Sequence, residues 1–345
     1  MRSNNSSRIK KFQAHLKKLG CDTCIIEDPV DLFYLTGLHF SCGTLMVSPK
    51  EAHLYVDGRY IQVAREKSPT KVSLIGELAP GKIKKLGFDS DTVTYARYLS
   101  LKKKFPKAKL ISLSSPVRPL RLIKDKEEII LMKKSADLLW KGYQHMQKEI
   151  REGISEKELA LIFEVFCLQN GAEAMAFDPI VAFGPNSAMP HYRAGDTRLK
   201  KGDVVLIDIG VVLNNYHSDM TRMQFFGPAH PKLEKMYNVV RESQRAALKK
   251  CKPGVKLKEL DLAARAVMKK KGMEDLFIHG LGHGIGLLTH EGLRIKFDNI
   301  DKDMKLEAGM VITVEPGLYV PNLGGIRHED TVCITPRGYE NFFSE

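Results

Sequence analysis

The stretch Val204-Val205-Leu206-Ile207-Asp208-Ile209-Gly210 constrains this chain most. Its run of apolar β-formers reads as a strand buried on both faces, with a single acid inside it. A carboxylate in such a strand loses its hydration, so something cationic must face Asp208. A second acid follows soon. If the chain reverses through a two-residue loop near Leu213 to Asn215, alternation puts Asp208 and Asp219 on one face of neighbouring strands. There they repel unless one is protonated or a metal lies between them. The other reading of the segment makes Asp219 a turn residue and pairs Arg222 with Asp208.

More polar residues of the same kind stand elsewhere. Glu315 closes the β-branched run Val311-Ile312-Thr313-Val314, and Glu329 lies in a strand-like segment after what reads as a Gly324-Gly325 turn. Each acid alone has a structural reading, as a buried ion pair with Arg222 or Arg327. His283 belongs to His279-Gly280-Leu281-Gly282-His283-Gly284-Ile285-Gly286, whose alternating glycines oppose a helix and imply backbone packed tightly against something. That excludes the helical HExxH zinc pair, which is absent in any case. His290 follows this stretch, and Pro190-His191-Tyr192 precedes the first acid. Two Asp, two Glu and one His form an oxygen-rich set with one nitrogen, suited to Mn²⁺, Fe²⁺, Co²⁺ or Zn²⁺. Four carboxylates also balance the charge of two divalent ions.

A chain of 345 residues exceeds one typical core and predicts two domains. Arg8 to Leu19 reads as an amphipathic helix stopped by Gly20. Cys24 to Ile26 reads as a strand, Asp28-Pro29 as a helix start, and Thr44 to Val47 with His53 to Val56 as a hairpin. Ser114-Ser115-Pro116 and Arg118-Pro119 break the periodicity and favour extended backbone. The boundary therefore falls there: residues 1–116 form an N-terminal α/β domain, 117–124 a linker and 125–345 a second domain. Capping boxes at Asp125 to Glu128 and Ser155 to Glu158 open two helices; others follow Pro231 and Val255.

The net charge of +13 attracts anions without identifying a nucleic-acid binder, since the lysine clusters Lys102-Lys103-Lys104 and Lys269-Lys270-Lys271 lack interleaved aromatics. No apolar run approaches bilayer length, and Met1 to Lys18 lacks the apolar centre of a signal peptide. Six scattered cysteines predict free thiols and a cytoplasmic protein. Cys21 and Cys24 have redox or zinc spacing, but no second pair completes a site, so they read as small core residues.

The ordered series Asp208-Ile-Gly, Ser218-Asp219-Met-Thr-Arg222, Gly282-His283-Gly-Ile-Gly286, Val314-Glu315-Pro-Gly317 and Arg327-His-Glu329-Asp330 resembles the M24 metallopeptidases: Xaa-Pro aminopeptidases, prolidases and methionine aminopeptidases. Tyr34-Leu35-Thr36-Gly37 and Val56-Asp57-Gly58-Arg59-Tyr60 resemble the creatinase-type domain of the proline-specific branch, and Arg121-Leu-Ile-Lys124 resembles its linker. The resemblance implies an α/β (α+β) chain whose second domain has the pita-bread fold, two related halves enclosing the site. It implies Asp208, Asp219, His283, Glu315 and Glu329 as ligands of two divalent ions, Mn²⁺ first and Co²⁺, Fe²⁺ or Zn²⁺ otherwise. It also implies His191, His279 and His290 as catalytic histidines, Glu315 as general base, and Tyr319 and Arg327 beside the substrate or metal network. Two departures stand out: His328 occupies a position that is often apolar, and Gly280-Leu281 replaces a polar pair.

The implied activity is hydrolysis of the N-terminal Xaa-Pro bond of peptides through a metal-bridging hydroxide. Such a bond has no N–H and a fixed ring, so a dedicated pocket is needed. The alternative is an Xaa-Pro dipeptidase (prolidase), in which Arg193 or an arginine of the N-terminal domain seizes the substrate carboxylate. A creatinase is opposed by the full ligand set. So is a non-catalytic relative binding RNA or protein, despite the basic charge. The expected partner is a peptide with proline second, without nucleic acid or membrane, and the resemblance admits a homo-oligomer.

Overall fold

The computed structural model describes residues 2–343, with side chains from Asn4 onward. Residues 1, 344 and 345, which include the outer ends of both expected domains, lie outside it. The chain divides into two compact units, Met1–Arg121 and Leu122–Glu345.

The first unit is a six-stranded mixed sheet with helices. Its elements are α1 (Arg2–Leu19), β1 (Thr23–Ile26), α2 (Pro29–Thr36), β2 (Gly43–Val47), β3 (Ala52–Val56) and α3 (Ile61–Lys67), then β4 (Lys71–Leu74), β5 (Lys85–Asp89), α4 (Tyr95–Lys104) and β6 (Lys109–Leu113). The strand order is β4-β3-β2-β1-β5-β6. The expected hairpin is β2–β3, and β1 continues into a parallel partner, β5. The helix stripe holds as read: Phe12 and Leu16 are fully buried, and Gly20 and Gly37 take positive φ where their helices stop. Asp28 caps α2 by accepting from Val30 and Asp31 N–H.

The expected extended linker is not extended. Arg118–Leu122 is a helical turn, α5, and the division between the units falls after Arg121. Pro119 sits within the first turn, where its missing N–H costs nothing, and Arg121 donates to buried Asp31 at 2.7 Å.

The second unit comprises α6 (Lys126–Gln147), α7 (Glu156–Gln169), β7 (Ala174–Met175), β8 (Ile180–Phe183), β9 (Val204–Ile209), β10 (Val211–Leu213), β11 (Tyr216–His217) and β12 (Met220–Phe225). After these come α8 (Pro231–Leu248), α9 (Leu257–Lys270), β13 (Gly282–His283), β14 (Arg294–Ile295), β15 (Val311–Val314), β16 (Gly317–Val320), β17 (Gly324–Arg327), β18 (Asp330–Thr335) and β19 (Gly338–Asn341). Both capping boxes form at the starts of α6 and α7. The strand β9 runs between β8 and β12, and all six of its residues are buried. Alternation splits it between two cores. Val205, Ile207 and Ile209 pack with Leu139, Tyr143 and Phe163 of α6 and α7, whereas Val204 and Leu206 pack with the α8 and α9 side. Asp208 shares the face of Val204 and Leu206.

The two-residue reversal is Asn214-Asn215, both at positive φ, between β10 and β11. Gly324 and Gly325 do not form the expected turn. They pair in β17 with Val320 and Tyr319, and the reversal passes through Pro321 to Leu323, with Asn322 at φ +63°.

Candidate metal centre

Antiparallel pairing of β9 with β12 sets Thr221 opposite Asp208 and brings Asp219, just before β12, to the same end of the sheet. Glu315 follows β15, Glu329 lies between β17 and β18, and His283 ends β13. These elements converge. Ligand atoms of Asp219, His283 and Glu329 lie within 4.8 Å of one another, and His283 Nε2 is 3.6 Å from carboxylate oxygens of both Asp219 and Glu315.

The cluster is incomplete as a set of protein groups alone. Asp208 Oδ1, Asp219 Oδ1 and Glu329 Oε1 are buried without hydrogen-bond partners, although such groups are ordinarily satisfied. The imidazole of His283 tells the same story. Its Nδ1 lies 3.1 Å from the Gly284 carbonyl, which only accepts, so Nδ1 carries the proton and Nε2 turns a lone pair toward two carboxylates. Divalent ions held here would give these atoms the partners they lack. Burial, reinforced by the neighbouring carboxylates, pushes the carboxyls of Asp219 and Glu315 well above their ordinary values, and Glu329 to about 8. Burial drops His283 to about 3, keeping it neutral and able to ligate.

Arg327 is the cation that Asp208 requires; Arg222 is not. The Arg327 guanidinium donates to Asp208 Oδ2, to the Tyr319 hydroxyl at 2.9 Å and to Thr221 Oγ1 at 3.0 Å. The Thr221 hydroxyl in turn donates to Glu329 Oε2 at 2.8 Å. Arg222 instead pairs with Asp330 at 2.8 Å and donates to the carbonyls of Thr221 and Glu329. It thus fixes the backbone that carries a candidate ligand.

His279 has a definite tautomer. Its Nδ1 lies 2.7 Å from the Gly280 carbonyl and so donates, which leaves Nε2 to accept from the Tyr319 hydroxyl at 2.9 Å. Burial, with the nearby Arg327 charge, lowers its pKa to about 4. His290 is half-open to solvent, its ring 4.2 Å from that of His283. His191 lies on the wall of the same cavity, in the loop after β8. Fully buried Glu156 holds that loop: its carboxylate accepts from Phe183 N, Asn186 Nδ2, Tyr192 Oη and Gly195 N at 2.8–3.0 Å.

The glycine series does bring backbones together. A Cβ at Gly282 would stand 2.1 Å from the Thr313 carbonyl, and one at Gly284 2.2 Å from that of Glu291. His328, one of the two departures, is buried against Arg241, away from the cavity. At Gly280, the other, a Cβ would meet the Ile295 carbonyl at 2.9 Å.

A cavity of about 820 Å³ opens over the cluster, lined by all five candidate ligands, the three histidines and Arg327. Its walls also carry Phe177, Arg193, Arg294, Lys296 and Asn299. Sequence reasoning missed Thr221, Arg294 and Lys296. Thr221 had a signal, since it faces Asp208 once the hairpin is drawn. The two cations had none, because surface lysines and arginines are common.

Residues 130–336 match the model of metallopeptidase family M24, and residues 8–123 that of the creatinase/prolidase N-terminal domain. The chain is 38% identical over 339 residues to an Xaa-Pro dipeptidase of Pyrococcus furiosus, covering 96% of each. It superposes with a TM-score of 0.94 and 33% identity on an Xaa-Pro dipeptidase from Bacillus anthracis, over 99% of this chain and 98% of that one. An X-Pro aminopeptidase from Thermotoga maritima gives a TM-score of 0.87 and 32% identity, over 96% and 98%. This chain therefore belongs to the M24 metallopeptidases, with the creatinase-type N-terminal domain of their proline-specific branch and a pita-bread catalytic domain.

Proposed function

We propose that this protein is a metal-dependent exopeptidase that cleaves the bond before proline, and that it acts as an Xaa-Pro dipeptidase. The order expected from sequence, aminopeptidase before dipeptidase, is thereby reversed. The observation that carries the reversal is the pair of cations, Arg294 and Lys296, in a cavity whose floor is carboxylate. Arg294 offers a substrate carboxylate a counter-charge, with Lys296, paired with Asp298 at 3.1 Å, and Arg193, 4.0 Å from Asp178, on the same walls. The P. furiosus and B. anthracis likenesses support the same reading. The T. maritima likeness supports the second one, an Xaa-Pro aminopeptidase, in which the substrate extends past these cations.

Asp208, Asp219, His283, Glu315 and Glu329 would hold two divalent ions, Mn²⁺ by preference for an oxygen-rich set. The ions, when bound, supply Lewis acidity and an activated water. Glu315, whose carboxyl burial holds well above its ordinary value, would lose its proton when the ions bind and could then serve as general base toward an attacking water. His290 and His191, open to the cavity, contact the reacting carbonyl and the residue after the bond. His279 acts through Tyr319, whose hydroxyl it accepts, and so orients Arg327 against Asp208. The free, scattered cysteines fit a cytoplasmic setting.

The test is hydrolysis of Arg-Pro, Arg-Pro-Pro and Arg-Pro amide by metal-stripped protein before and after Mn²⁺. A dipeptidase releases proline only from the first, and Arg294→Ala raises its KM. Equal or faster cleavage of the tripeptide would move the assignment to the aminopeptidase.

A further inference from the structure

Two neighbouring segments line the cavity, His279-Gly280 and Ile295-Lys296 with Asn299, and a Cβ at Gly280 would stand 2.9 Å from the Ile295 carbonyl. The β13–β14 ladder joins them at Gly282 and Ile295, and Leu281 N–H donates to the Ile295 carbonyl at 2.7 Å. Beyond that point, toward Phe277 and Phe297, one ion pair on α9 bonds to both segments. Arg265 donates through Nη2 to the His279 carbonyl at 2.8 Å, through Nη1 to the Phe277 carbonyl at 3.3 Å, and through Nε to Asp261 at 3.0 Å. Asp261 Oδ2 in turn accepts from Phe297 N–H at 3.0 Å. The guanidinium also lies between two rings, 4.4 Å from the centroid of Phe277 and 5.1 Å from that of Phe297. Asp261 is fully buried, and Arg265 is 9% exposed.

Apolar side chains of similar size would serve packing as well as a buried ion pair. What they cannot do is bond two chain segments in fixed directions. The planar fork of Arg265 reaches two carbonyls and a carboxylate at once, which a lysine cannot match. We propose that the Asp261–Arg265 pair is a positioning device: it fixes the two adjoining wall segments to each other, and so sets substrate affinity without touching substrate or metal. His279 sits at one end of this strut and Lys296 beside the other, so loosening it displaces both at once. The proposal rests on the peptidase reading for its kinetic consequence, though not for its structural one.

The experiment uses the full chain with Asp261→Leu/Arg265→Leu, which removes the pair without stranding a buried charge, and Arg265→Lys. A core variant outside the cavity lining, Phe163→Leu, is included to reproduce a general loss of stability. Hydrogen exchange should rise about tenfold in peptides covering 277–280 and 295–299 and stay unchanged across β9 and β12. Mn²⁺ affinity should hold. For Arg-Pro, KM should rise about tenfold, kcat should fall by less than KM rises, and Arg265→Lys should fall between the double variant and wild type. Unchanged exchange in both segments, or a KM change that Phe163→Leu reproduces at equal loss of melting temperature, overturns the proposal. If the double variant does not fold, Arg265→Lys decides by the same two readouts. If wild type cleaves no Xaa-Pro peptide, the functional reading fails while the exchange result still decides the strut.

Discussion

Glu156 and the candidate metal centre bury carboxylates within one compact unit, and they do so in opposite ways. Four donors converge on Glu156, so the group is complete and holds a loop in place. At the centre, Asp208, Asp219 and Glu329 each keep one buried oxygen with no partner. Among the described residues of the N-terminal unit no buried carboxylate oxygen is left in that state: Asp31 has Arg121, and Asp89 accepts from Asp91 and Ser115 N–H. Burial of an acid is thus no mark of function by itself. The mark is several such unfilled oxygens in one cavity: Asp261 Oδ1 is also buried without a hydrogen-bond partner, but it stands alone beside the Arg265 guanidinium.

Replacing an acid on each side of the comparison separates the two kinds. Asp219→Asn should lower kcat/KM by about a thousandfold or more and abolish binding of a full metal complement. It should also leave the metal-free protein at least as stable as wild type, because a repelling charge is gone; a lowered melting temperature without metal would break the comparison. Arg121→Met should do the reverse. Stranding Asp31 costs about 3–5 kcal/mol by analogy with other broken buried pairs, while activity per folded molecule persists, which urea titration beside an assay will show. Glu156→Gln puts an amide N–H among donors and should cost about 1–3 kcal/mol, with a raised KM as the His191 loop loosens.

Smaller but sharper is the pH response. Glu329 is raised to about 8 from an unfolded value near 4.5, so without metal the folded state holds more protons than the unfolded state between those values. Stability of the metal-free protein should therefore fall as pH rises from about 5 to 8. Metal binding must expel those protons, so Mn²⁺ affinity should rise over the same window and level off above it. Calorimetric melting with and without Mn²⁺ checks both signs. The smallest effect expected is that of Tyr319→Phe: loss of one link between Arg327 and His279, about tenfold in kcat, with metal content unchanged.

Much of the site was legible in the chain because its signal is local. An acid inside an apolar strand, glycines at every second position, and caps three residues from their partners need only a few neighbouring residues to be read. The Asn214-Asn215 reversal and its consequence for Asp219 followed from alternation alone. Partner choice did not. Whether Asp208 takes Arg222 or Arg327 depends on which strand crosses which, a fact spread over more than a hundred residues. The short helix at Arg118–Leu122 was missed because prolines look like breakers until a helix is seen to begin at them. Arg294, Lys296 and Arg265 carry no pattern of their own; the fold gives each its meaning.

The closeness of Gly282 to Thr313 and of Gly284 to Glu291 bears on ion choice. Backbone packs closely on both sides of His283, so that ligand has little room to move. An ion such as Ca²⁺, which wants six to eight oxygens at about 2.3–2.6 Å, should therefore bind this protein more weakly than Mn²⁺. Size would then select where a carboxylate-rich donor set does not.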